Sequence, residues 1–383
     1  MVRVLLDATA VPPERGGVGR YVDNLLPALR RIGVEVRVVC RDEDAQHYAS
    51  LSGSEPVAAS ATLRRAPARL MWEQLQLPRI VRRVAPDVVH APHYTLPLAV
   101  RRPVVVTLHD ATFFTDPGVH TAVKAPFFRT ATRVALRRAT AYVVPSQATA
   151  DELARVARAD RARMHVAHLG VDTSVFAPPA PAAVADVRQR LGLSGDESYI
   201  AFLGTHEPRK NLPALISGWV SAFDGSPKPP ALVLAGGAGW DDRLAAAVGA
   251  VPSSLRLIRP GYLPLGQLAG LLGGAEVVAY PSLGEGFGLP VLEAMASGAA
   301  VLTTRRLALP EVGGEAVAYT EPDAASIAAA LRRLMADPEL RRSLASRAVA
   351  RAATFTWDAC ARAHLPAYEQ AAASRRRSVR SAS

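Results

Sequence analysis

The sequence predicts an α/β protein made of two domains, each built on a parallel β-sheet. Its 383 residues exceed the roughly 100 to 200 residues of an ordinary compact domain. In both halves, short runs rich in valine, leucine and isoleucine alternate with longer helical patterns, which is typical of βαβ units. A proline-rich break at residues 176–183 separates the two alternating regions, and we predict it to be the linker region.

Five short runs predict the strands of the first domain: VRVLL, VEVRVVC, DVVHA, PVVVTLH and AYVVP. A helix is predicted over residues 18–32, because Leu25, Leu26 and Leu29 share one face at helical spacing. That apolar face is expected to pack on the sheet.

Five further runs predict the strands of the second domain: YIAFLG, ALVLAG, LRLIRPG, EVVAYP and AAVLTT. Helical stretches such as residues 213–223 and 264–272 separate them. From residue 324 the pattern is helical, and it ends in a predicted amphipathic helix. The predicted division is a first domain at residues 1–173, a second at residues 174–354, a C-terminal helix at residues 355–373 and a basic tail at residues 374–383.

The net charge of +11 is compatible with nucleic acid, anionic lipid or phosphorylated substrates, and charge alone does not choose among them. Of the 45 basic residues three are lysines, so the arginine bias reflects background composition as much as function. We predict that the arginine-rich tail is a disordered end rather than a lipid-binding patch. Because no module combines aromatic with basic residues, nucleic-acid binding is not expected.

Two features predict a cytoplasmic protein. Cys40 and Cys360 match neither a disulfide framework nor the paired spacing of a zinc site. The amino-terminal run VRVLLD contains Asp7 and lacks the long apolar region of a signal peptide. No stretch approaches the roughly 18 apolar residues of a membrane helix, so only peripheral contact with the inner face of a membrane stays open.

The strongest site signal is EGFGLPVLEAMASG at residues 285–298, which joins the strand EVVAYP to a helix. Pro290 suits the first helical position, and Gly298 suits the helix end. The amides of residues 286–289 would then lie at a helix N-terminus, where they can bind the oxygens of a diphosphate. Glu285 and Glu293 would flank a bound diphosphate sugar. The alternative is a tight glycine turn with Glu285 capping a loop and Glu293 on the helix surface.

A second signal is LGTHEPRKNL at residues 203–212, directly after the strand YIAFL. Loops at the carboxyl ends of strands are where open α/β sheets bind ligands. Arg209 and Lys210 place two cations there, next to Gly204, and they would neutralise charge on a departing diphosphate. The alternative is a solvated basic turn.

In the first domain His109 ends the strand PVVVTL, with His90 and His93 as weaker candidates. The alternative for His109 is an ordinary core or loop histidine. No set of His, Cys and carboxylate residues has metal-ligand spacing, so no bound metal is predicted. The glycines of PPERGGVGRY lack the regular spacing of a dinucleotide site, so we predict a flexible anion-binding or acceptor-side loop around Gly17.

Together these motifs resemble those of the family 4 glycosyltransferases, which are retaining enzymes of GT-B architecture. The resemblance spans nearly the whole chain. It is carried by Gly16 and Gly17, LHD at residues 108–110, VVPSQATADEL at 143–153, HLGVDTSVF at 168–176, EPRKNL at 207–212, and the pair Glu285 and Glu293. It implies two facing Rossmann-like domains and a last helix that returns to the first domain.

The resemblance also implies roles for single residues. Arg209 and Lys210 match the pair that holds the donor phosphates, and Glu285 matches the residue that contacts hydroxyls of the transferred sugar. Glu293 matches the carboxylate that binds the nucleotide ribose, and His109 matches the histidine near the reacting centre. The predicted catalytic residues are His109, Arg209, Lys210 and Glu285, and the predicted donor-binding residues are Gly17, Gly204, Arg209, Lys210, Glu285, Gly286, Phe287, Gly288, Leu289 and Glu293.

The predicted function is retaining transfer of a hexose from a nucleotide diphosphate sugar to a glycan or lipid-linked acceptor. The segments GTHEPRKNL and LHDATFFTDP resemble the corresponding segments of family members that use GDP-mannose. A UDP-sugar is the alternative donor. No cofactor is expected, since the two cations and the helix N-terminus would replace a metal ion. The alternatives are a nucleotide-sugar epimerase, a glycan phosphorylase or a non-catalytic nucleotide-sugar-binding protein.

Overall fold

The computed structural model describes residues 2–12, 15–59, 61–119 and 123–380. The chain divides into a first unit, Met1–Gly170 with Thr356–Ser383, and a second unit, Val171–Phe355. Each unit contains a parallel sheet flanked by helices, so the predicted fold class is confirmed. The unit boundaries lie directly after residues 170 and 355, whereas the predicted boundaries lie after residues 173 and 354.

The sheet of the first unit has seven strands, all parallel. They are β1 (Arg3–Asp7), β2 (Glu35–Arg41), β3 (Val57–Ala59), β4 (Val88–Ala91), β5 (Val104–Thr107), β6 (Ala141–Val144) and β7 (Met164–Val166). Their order in the sheet is β3-β2-β1-β4-β5-β6-β7. The order reverses between β1 and β4, which is the doubly wound arrangement of a Rossmann-like domain.

Helices cover this sheet because its central strands are apolar on both faces. The helices are α1 (Gly17–Arg31), α2 (Ala45–Ser52), α3 (Ala66–Leu75), α4 (Leu77–Val84), α5 (Thr112–Thr115), α6 (Lys124–Arg138), α7 (Gln147–Ala157) and, at the end of the chain, α16 (Trp357–Arg380). As predicted, the leucine face of α1 is buried, with Leu25, Leu26 and Leu29 fully shielded.

The second unit repeats the arrangement with six strands. They are β8 (Tyr199–Leu203), β9 (Ala231–Ala235), β10 (Leu257–Gly261), β11 (Val277–Tyr280), β12 (Val301–Thr304) and β13 (Ala318–Thr320), in the order β10-β9-β8-β11-β12-β13. Its helices are α8 (Pro181–Arg190), α9 (Leu212–Phe223), α10 (Leu244–Gly249), α11 (Leu265–Gly273), α12 (Leu289–Ala296), α13 (Leu309–Gly313), α14 (Ala324–Ala336) and α15 (Pro338–Ala352).

The return of the last helix to the first unit is confirmed. Helix α16 packs on α1 and on strands β4 to β7. Helix α16 continues through Arg380, so it includes residues 374–380 of the predicted basic tail. Arginine favours helix, and a helix that is already docked extends at little cost. Residues 381–383 lie outside the described part of the chain.

Two other predictions fail for identifiable reasons. Residues 176–183 are not the linker, since they lie inside the second unit. Pro178 and Pro179 pack there against Gly298 and Gly273, and Pro181 opens α8, where its fixed φ suits the first turn. The edge strands β3, β7 and β13 were not predicted, because each has three residues and only partial burial.

Candidate functional site

The predicted donor-binding loops meet at the carboxyl edge of the sheet in the second unit. Strand β8 leads into Gly204 and a short helical turn that carries Arg209 and Lys210, while its neighbour β11 leads into Glu285. The strand order reverses between β8 and β11. Such a switch point opens a crevice in which doubly wound sheets bind ligands.

Arg209, Lys210 and Glu285 form one ion-pair cluster at this edge. The Nζ of Lys210 lies 2.8 Å from Oε1 of Glu285, and the Arg209 guanidinium pairs with the other carboxylate oxygen. Arg209 also donates to the carbonyl of Gly284 at 2.9 Å and pairs with Glu207 at 3.2 Å. The structure therefore brings together the two cations and the start of the glycine turn, although Arg209 and Lys210 are 76 and 75 residues from Glu285 in sequence.

Burial and charge keep Glu285 ionised. The residue is 6% exposed, and this burial alone would raise the pKa of its carboxyl group. Arg209 and Lys210 outweigh the burial and lower the pKa of Glu285 to about 2. Ser282 adds a hydrogen bond to Oε1 at 2.6 Å. Burial and the charge of Arg209 lower the pKa of Lys210, while Glu285 opposes that shift.

Tyr280, the last residue of β11, completes the cluster. Its hydroxyl accepts a hydrogen bond from Lys210 and donates to Glu285 at 3.1 Å. Its ring stacks on Phe202 with the ring centroids 5.5 Å apart. Burial and then the charge of Glu285 raise the pKa of Tyr280 well above its usual value, so the phenol stays neutral. The sequence analysis missed Tyr280 and Ser282, although their position at a strand's carboxyl end was a usable signal.

The glycine turn has the predicted form. Gly288 caps α12 with φ of +102°, a conformation that favours glycine, and the helix starts at Leu289 with Pro290 second rather than first. Gly286 and Phe287 are buried, and the Phe287 ring packs edge-on against Phe355 with centroids 5.9 Å apart. The predicted contact of Phe287 with a donor stays a prediction.

Glu293 lies inside α12 and is 3% exposed. This burial removes the alternative in which Glu293 is an ordinary helix-surface carboxylate. For Glu285 the structure is compatible with both roles considered above, since the carboxylate braces the loop through Arg209 and Lys210 at the same edge where a donor would lie.

In the first unit, His109 follows β5 and is half-buried. Its Nε2 lies 2.7 Å from the carbonyl of Pro92 and must donate to it. Burial lowers the pKa of His109, so the ring is neutral and Nδ1 is left as an acceptor. Gly17 opens α1, and a Cβ atom added there would lie more than 4 Å from the neighbouring atoms of the residues that the structure describes. His90 is fully buried and takes part in a hydrogen-bond network inside the first unit.

Within residues 2–12, 15–59, 61–119 and 123–380, no group of three or more His, Cys, Asp or Glu side chains is arranged to hold a metal ion. In the same part of the chain, no helix is both long and apolar enough to cross a bilayer.

Comparison with known proteins gives the family. The model of Glycosyltransferase Family 4 matches residues 15–175, and that of Glycosyl transferases group 1 matches residues 184–351. The chain is 30% identical over 318 residues to O-antigen chain mannosyltransferase B of Escherichia coli, covering 81% of this chain and 82% of that protein. It is 35% identical over 243 residues to D-inositol 3-phosphate glycosyltransferase of Xylanimonas cellulosilytica, covering 60% of this chain and 57% of that protein.

Solved structures share the fold. Sucrose-phosphate synthase from Thermosynechococcus elongatus superposes with a TM-score of 0.78 at 21% identity, covering 98% of this chain and 100% of that one. Anabaena HepE in complex with UDP and glucose gives 0.74 at 20% identity, covering 94% and 98%. Both family matches, the long alignment to the Escherichia coli relative and the two Rossmann-like units agree. The chain therefore belongs to the family 4 glycosyltransferases, with a Glycosyl transferases group 1 second domain, and it is a glycosyltransferase.

Proposed function

We propose that this glycosyltransferase moves a hexose from a nucleotide diphosphate sugar to a glycan or lipid-linked acceptor with retention of anomeric configuration. The observation that carries the proposal is the buried cluster of Arg209, Lys210 and Glu285 beside the glycine turn. Two fixed cations at the carboxyl ends of the strands that flank the switch point can stabilise the negative charge of a leaving diphosphate. In this proposal they stand in for the divalent cation that other transferases use.

The proposed step breaks the bond between the anomeric carbon and the diphosphate oxygen. Negative charge develops on the leaving diphosphate, and Arg209 and Lys210 stabilise it. The acceptor hydroxyl attacks from the same face, forms the new glycosidic bond and passes its proton to the leaving phosphate oxygen. The ionised Glu285 holds both cations in place and offers hydrogen-bond acceptors to sugar hydroxyls.

Mannose is the proposed sugar and GDP-mannose the proposed donor. The relative from Escherichia coli is named a mannosyltransferase, which supports this choice. UDP-sugars are the alternative, because the solved Anabaena HepE holds UDP and glucose.

The test is a screen of GDP- and UDP-sugars for thermal stabilisation, followed by transfer assays with EDTA present. A ligand that binds only the folded state raises the melting temperature. We expect GDP-mannose to give the largest shift and turnover to survive EDTA. Donor consumption that needs no acceptor and yields an epimer would contradict the proposal.

We also propose that the protein works in the cytoplasm in peripheral contact with anionic lipid. Its two cysteines are free and buried, as suits a reducing compartment. Val123, just before α6, is 79% exposed, and Phe127 in α6 is 38% exposed. Arg133 and Arg137 are exposed further along the same helix. Exposed apolar and basic side chains on one helix are typical of contact with an anionic membrane surface. Cosedimentation with anionic but not with neutral vesicles is the expected result, and equal pelleting with both would contradict it.

A further inference from the structure

A chain of hydrogen bonds runs through the interior of the first unit and ties α16 to the sheet. His364 Nε2 lies 2.7 Å from the Tyr21 hydroxyl, which lies 2.9 Å from the Thr107 hydroxyl. Thr107 lies 2.8 Å from His90 Nε2, and His90 Nδ1 lies 2.9 Å from the Tyr368 hydroxyl. All five side chains are at most 1% exposed, so water does not compete for these bonds.

One carbonyl decides the direction of every proton in this chain. His364 Nδ1 lies 2.8 Å from the carbonyl of Cys360, which can only accept, so Nδ1 carries the proton and Nε2 accepts from Tyr21. The Tyr21 oxygen then accepts from Thr107, whose oxygen accepts from the Nε2 proton of His90.

The far end of the chain follows from the same accounting. With its proton on Nε2, His90 presents Nδ1 as an acceptor, and Tyr368 donates to it. Burial lowers the pKa of His364 to about 4 and that of His90 well below its usual value. Both rings are therefore neutral and carry opposite tautomers.

The middle of the chain touches the predicted first-unit site residues. Tyr21 lies one turn after Gly17 in α1, and its ring meets the His109 ring edge-on with centroids 5.2 Å apart. Thr107 is the last residue of β5, two residues before His109. Tyr368 lies at the other end of the hydrogen-bond chain, where its ring contacts His90 and His364.

We infer that Tyr21 is a positioning residue for His109 and for the start of α1, held in place by the hydrogen-bond chain from α16. The inference rests on the proposed function in that His109 is taken to approach the donor sugar. It assigns α16 a role in the site besides covering the sheet.

Two matched variants separate positioning from stability. Tyr21→Phe keeps the ring that contacts His109 but removes the hydroxyl that fixes it, and it leaves the Thr107 hydroxyl proton and His364 Nε2 without their hydrogen-bond partner. Tyr368→Phe removes an equally buried hydroxyl at the other end of the hydrogen-bond chain. It leaves only His90 Nδ1 without its hydrogen-bond donor. Both variants should melt at lower temperature, because buried polar groups lose partners.

Only Tyr21→Phe should impair catalysis, with kcat falling about 10- to 100-fold while the donor KM stays near wild type, since small misplacements of a site group are costly. Tyr368→Phe should keep kcat close to wild type. Equal losses of kcat in the two variants, or an unchanged kcat in Tyr21→Phe, would overturn the inference.

Nitrogen-15 spectra of the histidine rings test the inference without any turnover. The expected wild-type pattern is a proton on Nδ1 of His364 and on Nε2 of His90, and the His109 signals should move in Tyr21→Phe but not in Tyr368→Phe. The opposite tautomers, or His109 signals that ignore both changes, would overturn it. If no donor is turned over by the wild type while these spectra behave as expected, the proposed function fails and the positioning of His109 stands.

Discussion

Replacing Glu285 with glutamine removes the negative charge from the ion-pair cluster and leaves its shape nearly unchanged. In the folded protein, Arg209 and Lys210 hold the pKa of Glu285 at about 2, against an ordinary value of 4.5. That difference corresponds to about 3 kcal/mol of stability at neutral pH, which the glutamine variant should lack. The substitution also leaves the buried Lys210 and the partly buried Arg209 without their shared counter-charge.

The pH dependence follows from the sign of the shift. A carboxyl group whose pKa is lower in the folded state stabilises the protein above the pKa of the unfolded state, here 4.5. The contribution is lost as the pH falls from 4.5 toward about 2. The stability difference between wild type and Glu285→Gln should therefore be largest at neutral pH and should shrink steadily in acid.

The assay is urea unfolding followed by circular dichroism at several pH values between neutral and 3. Glu276→Gln is the matched control, since Glu276 pairs with Arg341 at 2.7 Å but its side chain is 39% exposed. Exposed pairs contribute about 0 to 1 kcal/mol, so this control should change little. A Glu285→Gln deficit that is the same at every pH, or no larger than that of Glu276→Gln, would refute the electrostatic reasoning.

Catalysis by the same variant distinguishes the two roles considered for Glu285. If the carboxylate contacts the sugar and orders the cations, Glu285→Gln should depress transfer while free nucleoside diphosphate binds at least as tightly, because the cations are no longer neutralised. Loss of thermal stability with unimpaired transfer would instead make Glu285 a purely structural residue. Calorimetric titration with GDP and UDP beside steady-state kinetics gives both readouts.

Three further results are expected. Lys210→Ala and Arg209→Ala should each lower turnover about 100- to 1000-fold with the circular dichroism spectrum preserved, and near-normal transfer by a folded double variant would exclude their role. Gly288→Ala should destabilise the protein by about 1 to 3 kcal/mol because Gly288 has a φ of +102°. The control Gly249→Ala, in open space at the end of α10, should not be destabilising. Equal melting temperatures of the two variants would contradict the expected strain. His109→Ala should reduce kcat and leave GDP binding by the second unit unchanged, and calorimetry showing lost GDP binding would count against that assignment.

The strands and the principal turns were predictable because their signals are local. The run YIAFL is a continuous hydrophobic stretch, which is the pattern of a central strand, and the structure buries it at every position. Gly298 was recognisable because a helix that ends before a left-handed residue favours glycine there, whereas the left-handed conformation of Gly288 was not predicted. Strand β13 has weak burial and three residues, and no local pattern distinguished it from a loop.

The partners of the site residues were less predictable. The charge of Arg209 and Lys210 at a strand end is visible in the sequence, but their ion pairs with Glu285 are not. The contribution of Tyr280 was missed because a tyrosine in an apolar run also fits a core residue, and its position at the carboxyl end of β11 was the signal that could have marked it. The proline-rich segment 176–183 misled in the other direction, since its composition suits both a linker and a packed entry into α8.

By itself the sequence determined two parallel sheets, the loops that follow strands β8 and β11, and the family. Those properties follow from hydrophobic periodicity and short motifs, which act over a few residues. Only the tertiary structure decided that Glu285 neutralises Lys210, 75 residues away, and that His364 holds Tyr21, 343 residues away. Such contacts depend on which strands become neighbours and on where the last helix docks, and the same local patterns are compatible with many pairings of distant side chains.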